Sequence, residues 1–219
     1  MEYIKALHNL IFPTNRLCYF CGETSYKIEN YLCKNCISHL EVLNREIEMD
    51  SVYIQKAYYS LMYNRIIREI MRDFKFSGKS YLYKPLAEIM LSTLEEVGVY
   101  FDIILFVPSH RRKEAIRGYN QSELLARYIS KALSISLSTN NLIKTKHTKD
   151  QNKLNKTERM RNLRNAFKVR NKKEVQNKDI LLVDDIITTG STLMECAKVL
   201  KDAGALEITG LGLTSSKTV

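Results

Sequence analysis

The sequence predicts an α/β domain, a parallel sheet flanked by helices, preceded by a small four-cysteine metal-binding module. Two strand–polar loop–helix units, at residues 101–129 and 180–200, predict the first part. Two Cys-x2-Cys pairs near the N-terminus predict the second. We therefore expect a cysteine module over residues 1–50 and a larger domain over 51–219. With 219 residues, 45% hydrophobic and 26% charged, the composition is that of a soluble folded protein. No run of about 18 apolar residues is present to span a bilayer. The N-terminal Leu10-Ile11-Phe12 cluster, followed by Pro13, is too short for a signal peptide. A cytoplasmic protein is expected.

Cys18-x2-Cys21 and Cys33-x2-Cys36 each set two sulfurs on one side of a tight turn, and two such turns facing each other make a cage of four. Zn²⁺ suits that cage, accepting four thiolates at about 2.3 Å without redox chemistry. An iron–sulfur cluster is the other group such a set holds, and two disulfides run against a cytosolic location. Four protein ligands leave no open position, so the ion is expected to be structural and to supply folding energy that some 40 residues cannot bury on their own. His39 lies close enough to replace a ligand, but reads as a surface residue.

From Tyr59 to Phe76, Met62, Tyr63, Ile66, Ile67, Ile70, Met71 and Phe74 recur at helical spacing, and Leu86, Ile89, Met90 and Leu94 mark a second helix over 83–97. Both helices read as core, with no function assigned. Residues 101–108 form a short apolar run ending in Pro108, the pattern of a buried strand. A polar loop through Ser109-His110-Arg111-Arg112-Lys113 follows, and then a helix from Ser122.

Residues 180–183 read as a second buried strand, and Leu193, Ala197, Val199 and Leu200 as the helix after it. Between them lies Asp184-Asp185-Ile186-Ile187-Thr188-Thr189-Gly190-Ser191-Thr192. The carboxyl end of a strand, leading into a helix N-terminus, is where α/β folds gather ligands. Backbone N–H groups there favour a phosphate, Gly190 admits close approach, and the four hydroxyls are donors. Asp184 and Asp185 would repel a phosphate, and instead suit sugar hydroxyls or a divalent cation. A helix cap would need one or two such residues, not this set. No Gly-x4-Gly-Lys-Ser/Thr is present, which excludes the Walker loop.

Leu182-Val183-Asp184-Asp185-x-x-Thr188-Thr189-Gly190-Ser191-Thr192 resembles the phosphoribosyl pyrophosphate (PRPP) signature of type I phosphoribosyltransferases. The whole chain, from about Cys18 to Leu213, resembles the ComF family of competence proteins. The four-cysteine knuckle, Val107-Pro108-x-x-Arg111-Arg112, Arg117-Gly118-Tyr119-Asn120-Gln121, Gln151-x-x-Leu154 and Arg159-x-x-Asn162-x-x-x-Ala166-Phe167 carry that resemblance.

The resemblance implies a type I phosphoribosyltransferase fold that binds PRPP with Mg²⁺. Asp184 and Asp185 would hold the ribose 2′- and 3′-hydroxyls. Thr188, Thr189, Gly190, Ser191 and Thr192 would cradle the 5′-phosphate, and Val183 is counted with them as PRPP-binding. Pro108 and Ser109 to Arg112 would form the pyrophosphate loop, Arg111 and Arg112 supplying catalytic charge beside the acid pair. The segment from Lys149 to Asn162 would be the flexible loop over the site. The acceptor and the general base are not identified, and His110 and His147 are candidates for the base by reactivity alone. The implied process is DNA uptake in natural transformation, with single-stranded DNA and the helicase ComFA as contacts.

The net charge of +10 is carried by one segment. Lys144 to Lys178 holds thirteen basic residues against Asp150, Glu158 and Glu174, and the rest of the chain is balanced. That concentration suits a polyanion, either nucleic acid or PRPP itself. Two functional readings therefore stay open: a transferase, or a PRPP-sensing or DNA-handling protein without catalysis. Cys196 reads as a small buried hydrophobe.

Overall fold

The computed structural model describes residues 16–54, 56–146, 148 and 156–216. The chain divides into two units, Met1–Glu41 and Val42–Val219. In the first, β1 (Arg16–Leu17) pairs antiparallel with β2 (Thr24–Ser25), and β3 (Ile28–Glu29) with β4 (Leu32–Cys33). Asn30 and Tyr31 close the second hairpin with φ of 44° and 70°, as a two-residue turn between twisted strands requires. Helix α1 (Lys34–Ser38) follows, with Cys33 at its N-cap. The buried centre of this unit is Cys18, Leu32 and Cys33, with Tyr19, Phe20 and Ile28 against it.

The larger unit begins with β5 (Val42–Glu48), which pairs antiparallel with β6 (Lys56–Met62). That pairing places residues 42–48 in the main sheet. Helix α2 (Arg65–Phe76), a short 3-10 turn and α3 (Tyr83–Val97) lead to β7 (Ile103–Phe106). Helices α4 (Arg111–Arg117) and α5 (Gln121–Leu133) follow, then β8 (Leu142–Lys144), α6 (Lys156–Leu163) and β9 (Phe167–Val169). The chain then forms β10 (Ile180–Ile187), α7 (Ser191–Lys201) and β11 (Ile208–Ser215). The main sheet has the order β5-β6-β11-β10-β7, parallel except for the β5 edge. β8 and β9 form a separate antiparallel pair.

Alternate residues of the central strands face opposite layers. Ala57, Tyr59, Ile103, Leu105, Ile180 and Leu182 pack with Leu193, Ala197 and Leu200 of α7. Every residue of β7 and the first four of β10 are buried, which explains their unbroken apolar runs, and burial extends one residue further to Asp184. Among the described residues no helix is long and apolar enough to cross a membrane.

Two expectations need correction. The helix expected from Tyr59 begins only at Arg65, because residues 56–62 are β6. Ala57 to Leu61 are all buried, so both faces of that strand are covered and the apolar–polar period of two is lost from the sequence. The strand expected to end at Val183 continues to Ile187, so Asp184 and Asp185 lie in the strand and not in the loop after it.

Candidate functional site

The two neighbours of β10 do not accompany it to the same point. β7 pairs with it as far as Val183↔Phe106, and Val107 N–H still donates to the Val183 carbonyl at 2.9 Å. β11 continues beside it, through Asp184↔Gly212 to Ile187↔Ser215. From Asp184 onward one side of the strand is therefore open, and a cleft of about 650 Å³ lies there. Gly212 permits the crossing at this level: a Cβ on it would stand 2.6 Å from Ile187 Cγ1.

Asp184 is 8% exposed. Its Oδ1 accepts from Ser122 Oγ at 3.1 Å and from the Asp185 N–H at 2.8 Å. Asp185 Oδ2 lies 2.8 Å from Lys75 Nζ. Among the described residues this leaves Asp184 Oδ2 and Asp185 Oδ1 without a hydrogen-bond partner. Burial, and then the Asp185 charge, push the Asp184 carboxyl up to about 7, against the opposing pull of the Asp185 N–H, Lys75 and Ser122.

The turn after β10 is ordered by its own side chains. Thr189 Oγ1 and Ser191 Oγ are 2.8 Å apart, and Ser191 N–H donates to Thr189 Oγ1 at 3.4 Å. Gly190 has φ of 78°, a left-handed conformation that sends the chain directly into α7, whose N-terminal N–H groups favour an anion. Thr188 and Thr192 line the cleft.

Among the described residues six cations line the same cleft: Arg68, Arg72 and Lys75 from α2, Lys113 and Arg117 from α4, and Lys144 from β8. The acids there are Glu69, Asp184 and Asp185. Burial, with Lys113 nearby, holds Lys144 below the usual lysine range. Lys75 is placed by a clamp on its neighbour. The Phe74 carbonyl, in the last turn of α2, accepts from Tyr119 Oη at 2.6 Å and from Gln121 Nε2 at 3.2 Å. Such end carbonyls lack partners within the helix, so these donors fix the helix terminus as well as satisfying it. Asn120 completes the set. Its Nδ2 donates to the Val107 carbonyl at 3.1 Å, while its Oδ1 caps α5 by accepting from Ser122 N–H. That cap brings Ser122 to Asp184.

Of the residues expected at the site, Pro108, Ser109, Asp184, Asp185, Thr188 and Thr192 line the cleft. Val183 is fully buried beneath it, and Thr189, Gly190 and Ser191 shape the turn. Arg111 is not among the lining residues and lines a neighbouring cavity instead. Arg112 lines neither of these two cavities. His110 Nδ1 accepts from Arg112 N–H at 3.3 Å as the N-cap of α4. His147, Lys149 and Lys153 lie outside the described residues. Sequence reasoning missed Lys75, Arg68, Arg72 and Ser122. The signal for the three cations was their spacing on the polar face of a helix read only for its apolar one.

Residues 120–210 match the Phosphoribosyl transferase domain family. Competence protein F of Haemophilus influenzae is 32% identical over 203 residues, covering 89% of this chain and 83% of that one. Competence protein ComFC of Bacillus subtilis is 28% identical over 206 residues, covering 89% and 82%. DNA utilization protein YhgH of Escherichia coli is 33% identical over 144 residues, 64% of this chain and 63% of that one. The chain belongs to the ComF family. The phosphoribosyltransferase domain match runs from the Asn120 cap into β11, over the strand–turn–helix unit of the acid pair. The acid pair falls inside that match and Lys75 outside it.

This ComF chain also carries the expected cysteine cluster. The sulfurs of Cys18, Cys21, Cys33 and Cys36 all lie within 4.8 Å of one another, and those of Cys21 and Cys33 are 3.9 Å apart. Four thiolates around one tetrahedral ion at about 2.3 Å have S···S edges of about 3.8 Å, so the cluster could hold a metal ion. Burial opposes ionisation of Cys18, but N–H donors of Cys21, Cys33 and Phe20 outweigh it and hold the thiol at about 7. Burial, reinforced by the neighbouring thiols, pushes the Cys36 thiol up. One sulfur is thus disposed to ionise first, and a cation would draw off the remaining protons. His39 is not in the cluster; its Nδ1 is 2.6 Å from the Asn35 carbonyl.

Proposed function

We propose that the cleft binds PRPP together with Mg²⁺, and that the protein is a cytoplasmic, phosphoribosyltransferase-like factor of DNA uptake in natural transformation. The acid pair carries this reading. Two adjacent carboxylates at a strand end each present one unengaged oxygen, beside a hydroxyl-rich turn that opens a helix. Two acceptors side by side suit a ribose diol, and the turn suits its 5′-phosphate. The Pro108–Ser109 turn, with Lys113, Arg117 and Lys144 on the wall, suits the pyrophosphate. Mg²⁺ would offset the charge of that group. The names of the relatives, two competence proteins and a DNA utilization protein, support the process. Zn²⁺ is the proposed ion of the cysteine cluster, with a structural role.

If the protein is a transferase, an acceptor displaces pyrophosphate from the anomeric carbon. Negative charge then gathers on the leaving group, and the cations of the cleft are placed to stabilise it. Asp184 and Asp185 orient the sugar. The segment from Lys149 to Asn162 expected to cover the site includes residues 149–155, which lie outside the described residues.

The test is calorimetric titration of PRPP with Mg²⁺ into the zinc-loaded protein and into the Asp184→Asn, Asp185→Asn double variant. Saturable binding that the folded variant loses is expected. Absence of binding to the folded wild type would overturn the ligand assignment.

The charge of the 144–178 segment favours a second reading, a PRPP-sensing or single-stranded-DNA-binding competence factor without catalysis, with the helicase ComFA as partner. DNA affinity that falls steeply with salt, with a slope reduced by neutralising Lys149, Lys153 and Lys156, separates this reading from the first.

A further inference from the structure

The Pro108–His110 turn lines two cavities. Besides the larger cleft, Pro108, Ser109 and His110 border a second cavity of about 420 Å³, and Lys144 lines both. Its volume lies in the lower part of the range for small-molecule sites, roughly 300–1,000 Å³.

The charges on its wall are unequally occupied. Glu114 accepts from Ser109 Oγ at 2.8 Å, and Glu123 is paired with Arg127 at 2.7 Å. The three cations, Arg111, Lys144 and Arg170, have no carboxylate within ion-pair distance among the described residues. Lys144 Nζ sits 5.3 Å from the centre of the Phe167 ring, which stabilises a cation without neutralising it. Glu114 keeps its charge under the Ser109 bond while Glu123 is ion-paired, so among the described residues three unpaired cations face one unpaired carboxylate and the net charge is positive.

The wall is also built, not a chance opening between loops. Asn141, 3% exposed, accepts on Oδ1 from the N–H groups of Arg170 and Asn171 at 3.0 and 2.7 Å. Its Nδ2 donates to the Asn171 carbonyl at 2.9 Å. This buried amide ties the backbone of Arg170 to the start of β8, the strand that carries Lys144, so two of the three cations hang from one fixed frame.

We infer that this second cavity is a separate site for a small phosphorylated anion, held by Arg111, Lys144 and Arg170. Guanidinium groups bind phosphate oxygens through paired, charge-assisted hydrogen bonds, and Thr139, Asn140 and Thr145 add polar groups around them. Because the Pro108–His110 turn and Lys144 belong to both cavities, an anion here shares a wall with the larger cleft and is placed to influence what binds there. The inference does not depend on PRPP occupying that cleft.

Inorganic pyrophosphate is the probe, titrated calorimetrically into the full zinc-loaded chain, with adenosine diphosphate as a parallel arm to tell a free diphosphate from a nucleotide. Arg111 and Arg170 are exposed, so the Arg111→Ala, Arg170→Ala variant is expected to fold, as its thermal melt will show. It should bind the probe at least about tenfold more weakly, the loss expected when charge-assisted bonds go. The Lys113→Ala, Arg117→Ala variant, which removes cations that line only the larger cleft, should keep the site. Wild-type affinity in the arginine variant, or no binding to wild type, overturns the inference. So does equal loss of PRPP and pyrophosphate binding in the arginine variant, which would assign these cations to the larger cleft. If the wild type binds no PRPP, the proposed function fails while the pyrophosphate arms still decide this site.

Discussion

Lys75 Nζ and Asp185 Oδ2 meet at 2.8 Å with both side chains largely shielded from water, at 20% and 13% exposed. The acid pair of β10 thus has a counter-cation of its own, supplied by the end of α2. Removing that cation leaves two adjacent carboxylates with less to offset them, and the proton on Asp184 becomes harder to release. In Lys75→Met, we expect the midpoint of the pH dependence of PRPP binding to move above the wild-type value near 7, with affinity at neutral pH reduced by about tenfold. Calorimetry across a pH series reads both quantities, and an unmoved midpoint would show that Lys75 does not act on the acid pair.

Asp184 should also leave a mark on stability. Its folded value, about 7, stands above the ordinary 3.8, so between these limits the fold holds a proton that the unfolded chain releases. The stability this contributes is complete below the lower value and is lost as pH rises through the upper one. Asp184→Asn has no proton to lose. Relative to wild type, the variant should therefore become progressively more stable from about pH 4 to about pH 7, and level off above that, in urea unfolding. A difference that stays flat with pH would count against a raised Asp184.

The clamp on the Phe74 carbonyl can be dismantled in steps. Tyr119→Phe removes one donor and leaves Gln121 in place, so a loss of about 1 kcal/mol is expected. Adding Gln121→Leu strips the second donor from a buried carbonyl, and the double variant should lose more than the two single changes added together. Denaturant midpoints measure the stability. A fall in PRPP affinity in the same double variant would show that the clamp reaches Lys75.

Metal removal should act locally. Cys18→Ser deletes the sulfur that three backbone N–H groups favour as a thiolate. Loss of bound zinc by elemental analysis is expected, with loss of dispersed amide signals for residues 16–41. Signals from the 42–216 sheet should persist, because the two units have separate buried centres. Global unfolding of the variant would contradict this.

What could be read in the sequence was the chemistry that sits in one short stretch. The acid pair, the Thr-Thr-Gly-Ser-Thr turn and the two cysteine pairs each lie within a few residues, so local spacing alone reveals them. Lys75 shows where that approach stops. It meets Asp185 only because α2 and β10 are brought together by the sheet, and nothing in the residues around position 75 encodes the encounter. Arg111 failed in the opposite direction: its place beside the Pro108 strand was legible, but which side of the turn it faces depends on α4. β6 was hidden because burial on both faces removed the alternation that would have marked it.

β10 is a central strand for its first half and an edge for its second, because β7 stops at Val183 while β11 runs on. A saturation-mutagenesis map of this strand should therefore break between two adjacent positions. Substitutions at residues 180–183 would be felt as lost protein and lower abundance. Those at Asp184 and Asp185 would leave abundance intact and change only what the protein does. The boundary between what evolution must keep for the fold and what it is free to retune for a new ligand would lie within one continuous strand.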